Sequence, residues 1–196
     1  MAIKTNRHIV VELGNIGLRW PFEKKAAKTT RFAKKAPNVQ AIGIDRRKLN
    51  RWFSFSRPRL PENVRQINAD FLGGLKQLPD GAVSRIYSSM SLGHYDANGH
   101  EYFGGRIHFG STLDYTAEVA ASARKKLRVG GKLKIVVEKS HLPLMEKALE
   151  KAGFSGKEVV KVGLKPSMKR GTYWMKLYSP FPIGRVVYRI IATKKN

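Results

Sequence analysis

The 196-residue sequence predicts an α/β domain: a doubly wound, mostly parallel sheet in strand order 3-2-1-4-5 with an antiparallel edge. Three observations predict it. Short β-rich runs alternate with helix-period stretches, the pattern of a parallel sheet covered on both faces. Two of the runs deliver an aspartate at their carboxyl ends, the edge where open α/β sheets bind ligands. Apolar residues make up 42% of the chain, enough for one substantial core and, at this length, too few for two ordinary domains. Residues 1–196 are therefore expected to form one domain.

Taken in order, residues 8–13 (HIVVEL) form the first strand, ended by Gly14. Phe22, Ala26, Thr29, Ala33 and Ala36 then recur at steps of four and three as one helical face. Lys24, Lys28, Arg31 and Lys35 line another face, and Pro37 and Asn38 stop the helix. Residues 39–44 (VQAIGI) are the second strand and deliver Asp45; 46–52 read as a short helix and 53–61 as a basic, Pro-containing loop. The third strand, 64–69 (VRQINA), delivers Asp70, and the turn Pro79-Asp80-Gly81 leads into the fourth, 83–88 (VSRIYS). Residues 93–110, with five Gly and three His, read as a loop over the strand ends. A helix over 113–127 turns Leu113, Ala117, Ala120 and Leu127 inward, and Gly130-Gly131 ends it. The fifth strand, 133–137, is wholly apolar apart from Lys134, and a helix over 144–152 stops at Gly153. Two late strands, near 159–162 and 186–192, enclose the basic, aromatic segment 165–184.

The charge is the least ordinary feature: 38 Lys and Arg against 14 Asp and Glu give +24. A merely soluble domain needs a net charge of only about 2–8 in magnitude, and a particle this cationic repels itself until a polyanion neutralises it. Nucleic acid is that polyanion, because clustered cations displace its condensed counterions. An anionic membrane calls instead for an amphipathic helix with a bulky apolar face, and none is found. No run approaches the ~20 apolar residues that span a bilayer, and residues 1–11 read as lead-in plus strand without a signal-type apolar region. The chain has no cysteine, which excludes disulfides, thiolate metal sites and cysteine nucleophiles. A cytoplasmic protein is expected. Basic segments stand at 19–35, 46–59 and 165–176. In the second, Arg46, Arg47, Lys48, Arg51, Arg57 and Arg59 interleave with Trp52 and Phe55; Lys169 and Arg170 belong to the third. Cations holding phosphates beside rings that stack on unpaired bases suit RNA.

Four stretches carry a family resemblance. Val10-Val11-Glu12-Leu13-Gly14-Asn15-Ile16-Gly17 is similar to the acidic-x-Gly-x-Gly loop after strand one of the class I, Rossmann-like S-adenosylmethionine-dependent methyltransferases. Ile42-Gly43-Ile44-Asp45 resembles their acidic residue for the ribose hydroxyls, and Asn68-Ala69-Asp70-Phe71 their adenine contact after strand three. Gly130-Gly131 and Ala152-Gly153-Phe154 resemble their scaffold marks around strands five and six. The resemblance covers about residues 9–193 and implies S-adenosylmethionine as cofactor. It implies Glu12, Gly14, Asn15, Gly17, Asp45, Asp70, Phe71 and Ser88 as the cofactor-binding set. Two departures stand out: Ile16 occupies the second glycine's place with Gly17 one position late, and Ser84-Arg85 replaces an aspartate common just before strand four.

The chemistry is less marked than the fold. The Asn/Asp-Pro-Pro-aromatic motif of many base-nitrogen methyltransferases is absent after strand four, where Ser88-Ser89-Met90-Ser91 stands; Ser179-Pro180-Phe181-Pro182 lies beyond strand five and reads as a rigid turn. Without cysteine, carbon-5 pyrimidine methylation through a thiolate is excluded. His94, Tyr95 and Asp96 are the candidates for proton removal near strand four. The spacing of His94, His100 and His108 matches no familiar metal site, and no metal is expected. Two readings follow: a methyltransferase acting on structured RNA, rRNA or tRNA, and a non-catalytic RNA-binding protein of the same fold, ribosome-associated in one version. Under both, the RNA-binding set is Lys24, Lys28, Arg31, Lys35, Arg46, Arg47, Lys48, Arg51, Trp52, Phe55, Arg57, Arg59, Lys169 and Arg170.

Overall fold

Alternation along the first strand sorts the core into two layers. In the computed structural model, which describes residues 8–14, 33–46, 61–89, 91–93, 96–98, 109–162 and 187–195, strand β1 (His8–Leu13) is buried on both faces. Ile9, Val11 and Leu13 join the large cluster on one side, while Val10 packs with Ala33, Val39, Ala41 and Val64 on the other. Side chains two apart in a strand share a face, so a strand covered on both sides reads as continuously apolar. The remaining strands are β2 (Val39–Ile44), β3 (Val64–Ile67), β4 (Val83–Ser89), β5 (Leu127–Glu138), β6 (Lys157–Val162) and β7 (Val187–Thr193). The sheet runs β3-β2-β1-β4-β5-β7-β6. Its first five members are parallel, and β7 lies antiparallel between β5 and β6. This is the predicted order, with the predicted antiparallel edge.

Helices α1 (Phe71–Lys76), α2 (Phe109–Lys126) and α3 (Leu142–Lys151) cover the larger cluster, with α2 between the other two. Leu75 of α1, Val119, Ala120 and Ala123 of α2, and Met145 and Leu149 of α3 supply its helical side. A 3-10 turn, Lys139–His141, links β5 to α3. On the other face, residues 33–35 are helical and Ala33 is buried, in keeping with the apolar face read there; the rest of the expected helix, 22–32, lies outside the described residues.

Several elements differ from expectation. Gly130-Gly131 does not end a helix. Helix α2 begins at Phe109, inside the expected loop, and gives way directly to β5 at Leu127. Leu127 is buried as a strand residue, while Leu113 is only half-buried. The register passes from Val83↔Leu127 to Arg85↔Lys132, so residues 128–131 bulge from the sheet. Gly130 takes φ 74°, and a Cβ on Gly131 would stand 2.8 Å from the Arg128 carbonyl, which explains the glycine pair. Helix α1 falls in a stretch to which the sequence reading gave no element, and Gly73-Gly74 weakens helix propensity there. It forms because Asp70 caps it and because Gly74 lies against Ile44, where a Cβ would come within 2.2 Å of Cγ2. Helix α3 starts at Leu142 with Pro143 in its first turn, where a missing N–H costs nothing. Strand β3 stops at Ile67, two residues early. The expected helix 46–52 beyond Arg46, the loop 53–60 and the segment 165–184 lie outside the described residues.

Candidate functional site

Because β1 to β5 are parallel, their carboxyl ends share one edge, and the backbone ties three of them together there. Gly14 leaves β1 with φ 129° and donates its N–H to the Ile44 carbonyl at 2.8 Å, bridging to the end of β2. The next residue, Asp45, donates its own N–H to Ile67 O at the end of β3, at 3.2 Å. Glu12 and Asp45 stand on neighbouring strand ends beside the Gly14 turn, and Asp70 follows β3. Glu12 is buried, in register with Gly43 of β2 and Tyr87 of β4. Asp45 is half-buried.

Asp70 has a local role as well. Its Oδ1 accepts the Gly73 N–H at 2.5 Å as the cap of α1, and its Oδ2 faces Arg46 Nη2 at 3.8 Å. Both side chains are well exposed, so this ion pair contributes little by itself. Arg46 also donates to the Ala97 carbonyl at 2.8 Å, spanning from the end of β2 to the 96–98 turn. That turn is closed by buried Asp96, whose Oδ1 accepts the Asn98 N–H at 2.9 Å. Ser88, fully buried near the end of β4, accepts the Leu92 N–H at 2.9 Å and so anchors the chain leaving the strand. Phe71 is half-buried in the first turn of α1.

The structure adds two residues that the sequence reading missed. Tyr115 of α2 is buried, and burial pushes its phenol up from the usual value; the nearby Asp70 carboxylate adds to this, while Arg46 and a backbone hydrogen bond at Phe71 oppose it. Tyr115 thus belongs to the same surroundings as Asp70 and Phe71. Its signal was present: Thr112, Tyr115, Thr116, Val119, Ala120 and Ala123 recur at helical spacing, a face that a helix begun at 113 obscures. His141, also buried, follows the carboxyl end of β5, with Ser140 Oγ 3.1 Å from its Nδ1.

Asn15, Gly17, His94 and Tyr95 lie outside the described residues. So do Lys24, Lys28, Arg31, Arg47, Lys48, Arg51, Trp52, Phe55, Arg57, Arg59, Lys169 and Arg170. Of the RNA set, Lys35 is exposed just before β2 begins, at the opposite edge from Arg46. Among the described residues, no three or more His, Asp or Glu gather as a metal cluster, and no helix is long and apolar enough to cross a membrane.

Solved structures resemble this architecture over nearly the whole chain. The 16S rRNA methyltransferase KamB superposes with a TM-score of 0.62 at 13% identity, over 98% of this chain and 90% of that one. An S-adenosylmethionine-dependent methyltransferase from Archaeoglobus fulgidus gives 0.59 at 14% identity, over 97% and 87%. A point mutant of the 16S rRNA (adenine(1408)-N(1))-methyltransferase from Catenulisporales acidiphilia gives 0.55 at 14% identity, over 98% and 90%. The fold is that of the class I, S-adenosylmethionine-dependent methyltransferases. Glu12, Gly14, Asp45 and Asp70 gather at the carboxyl edge of the sheet, the edge at which open α/β sheets in general bind ligands. No protein-family model matches the chain, and no curated protein matches it by sequence.

Proposed function

We propose that the chain binds S-adenosylmethionine at the carboxyl edge and transfers its methyl group to structured RNA. The observation that carries this reading is the joining of Gly14, Asp45 and the end of β3 by backbone hydrogen bonds, which sets carboxylates on both sides of a Cβ-free turn. These residues fit the cofactor. Asp45 offers two carboxylate oxygens to a vicinal diol, and Gly14 leaves room for a ligand to approach the backbone. In this reading Asp70 and Phe71 would contact the purine, and Ser88, whose Oγ accepts the Leu92 N–H, fixes the chain leaving β4. When bound, S-adenosylmethionine would supply a sulfonium methyl group to a nucleophilic nitrogen or oxygen, with S-adenosylhomocysteine as the leaving thioether. For proton removal from that nucleophile the sequence offers His94, Tyr95 and Asp96; Asp96 Oδ1 is engaged by Asn98.

RNA is favoured as substrate by the +24 charge, and two of the similar structures are 16S rRNA methyltransferases. The described strands also hand the chain into residues 15–32, 47–60 and 163–186, which mix basic and aromatic residues, at the edge that carries the site. The test is calorimetry of S-adenosylmethionine and S-adenosylhomocysteine on protein stripped of nucleic acid, followed by transfer of labelled methyl to rRNA and tRNA. Binding in the micromolar range with label in RNA is expected; absence of both would defeat the reading.

One observation favours a second reading, a methyltransferase-fold RNA-binding protein without turnover. Asp70 already spends Oδ1 on the α1 cap and turns Oδ2 toward Arg46. Tight RNA binding with no cofactor heat in the calorimeter would select it.

A further inference from the structure

The amino edge of the sheet, opposite the candidate site, carries its own concentration of charge. Residues 124–132 (RKKLRVGGK) hold five cations and no acid. Strand pairing brings others beside them, since Lys132 pairs with Thr193 and Lys157 with Ala192, placing Lys194 and Lys195 at the same edge. Lys125, Arg128, Lys132, Lys157 and Lys195 are exposed. Asp80 engages Lys125 at 3.1 Å and the buried Lys126 at 2.6 Å. Glu146 stands 3.8 Å from Lys157. Among the described residues, no ion pair engages Arg128, Lys132 or Lys195.

These cations are held in place. The bulge 128–131 is bound to the C-terminal residues by Gly130 N–H donating to Lys194 O at 2.9 Å, Lys194 N–H to Gly131 O at 3.0 Å, and Lys194 Nζ to Leu127 O at 2.7 Å. The tightness that demands glycine at 130 and 131 keeps Arg128 and Lys132 beside Lys195, although the three repel one another. Cations on an anchored bulge lose less freedom on binding than cations on a free loop. The carboxyl edge lies roughly 20 Å away, the rise of the β5 residues from Lys132 to Glu138 at ~3.3 Å each. That exceeds the ~8–10 Å screening length of physiological salt. Charge at the amino edge therefore does little for RNA held only at the far edge.

We propose that the amino edge is a second RNA-binding surface, in which Arg128, Lys132 and Lys195, flanked by Lys125 and Lys157, contact phosphates of a folded RNA that also reaches the carboxyl edge. This rests on the reading that the partner is RNA. A membrane is disfavoured because Val129 is the one large apolar side chain exposed at this edge among the described residues, too little to anchor a bilayer contact.

The experiment compares three forms of the full chain by binding an RNA stem-loop across a salt series. They are the parent, the amino-edge variant Arg128→Ser/Lys132→Ser/Lys195→Ser, and an equally discharged control from the exposed faces of α1 and α3, Lys76→Ser/Lys147→Ser/Lys151→Ser. The amino-edge variant should bind at least tenfold more weakly at moderate salt. Its log–log slope should flatten by about 2–3, from roughly 0.7–0.9 per lost phosphate contact, and the control should stay near the parent. Circular dichroism and the S-adenosylmethionine calorimetry should not change, and glutamine in place of serine should reproduce the effect. If both variants flatten the slope alike, net charge is at work and the surface is refuted. If neither does, the surface is refuted while RNA binding stands. A parent that binds no RNA removes the functional reading and this inference together. Loss of binding to phosphatidylserine vesicles in the amino-edge variant, with RNA affinity intact, assigns the surface to a membrane and overturns the proposal.

Discussion

The position of Asp45 depends on a missing methyl group. Gly74 faces Ile44, whose carbonyl receives the Gly14 N–H and whose successor is Asp45. In an open helix, alanine would be preferred to glycine by about 1 kcal/mol. Here the added Cβ would come within 2.2 Å of Ile44 Cγ2, and the overpacking outweighs that preference. Gly74→Ala is expected to destabilise the fold by about 1–3 kcal/mol in urea unfolding and to weaken cofactor binding, since the displaced residue adjoins the site. Unchanged unfolding and unchanged binding heat would show that β2 yields without cost. Asp45 itself tests the site more directly. Asp45→Ala should weaken S-adenosylmethionine binding by about 1.5–3 kcal/mol, the range for hydrogen bonds to a charged group, roughly 10- to 150-fold by calorimetry, with the thermal midpoint nearly constant.

At the level of elements, two short joints set the geometry. The six-residue helix α1 is too short to persist on propensity alone, so its Asp70 cap matters more than usual. Serine can replace the cap but not the carboxylate. Asp70→Ala is therefore expected to cost about 1 kcal/mol of stability and to weaken cofactor binding, whereas Asp70→Ser should recover the stability without the binding. Recovery of binding together with stability in Asp70→Ser would mean that capping is Asp70's only role. The second joint is the turn before β4, where Asp80 meets Lys126 and Lys125. Hydrogen bonds from Lys126, then Lys125, hold the Asp80 carboxyl below its ordinary 3.8. The folded state therefore binds this proton less readily than the unfolded chain. The contribution is present above the unfolded value and is lost as pH falls through the lower folded one. Asp80→Asn should melt at a lower temperature near neutral pH, and the difference from the parent should shrink as the pH falls below the carboxyl's ordinary 3.8. A constant difference across that range would point to packing rather than charge.

Over the whole molecule, a net charge of +24 makes salt the main experimental variable. The stripe Lys24, Lys28, Arg31 and Lys35 should lie on one face, and Lys35, the member within the described residues, is exposed. Replacing all four with Ser should flatten the log–log salt slope of RNA binding by about 3, at roughly 0.7 per contact on single strands. The loss should be similar across RNA sequences, because phosphate contacts carry no base identity. Trp52→Ala or Phe55→Ala should instead lower affinity and leave the slope nearly intact, if those rings stack on bases. An unchanged slope in the stripe variant would move the RNA surface to residues 165–176 and the amino edge.

The sequence by itself determined the sheet. Apolar runs such as 8–13 and 39–44 mark strands because burial on both faces is a local demand on every residue, and they match β1 and β2 end for end. The same runs placed Asp45 and Asp70 after neighbouring strands, since a strand's end is legible wherever its apolar run stops. Only the tertiary structure decided what depends on residues far apart in the chain. Gly130-Gly131 looks like a helix stop until β7 pairs beside it and binds the bulge to Lys194. Gly73-Gly74 argues against a helix until Ile44 occupies the space that a Cβ would fill. Tyr115 joins Asp70, and Arg46 reaches Ala97, through packing that no spacing encodes. The amino-edge cations belong together for the same reason. Residues 124–132, 157 and 193–195 become neighbours through non-local strand pairing, which local periodicity does not record.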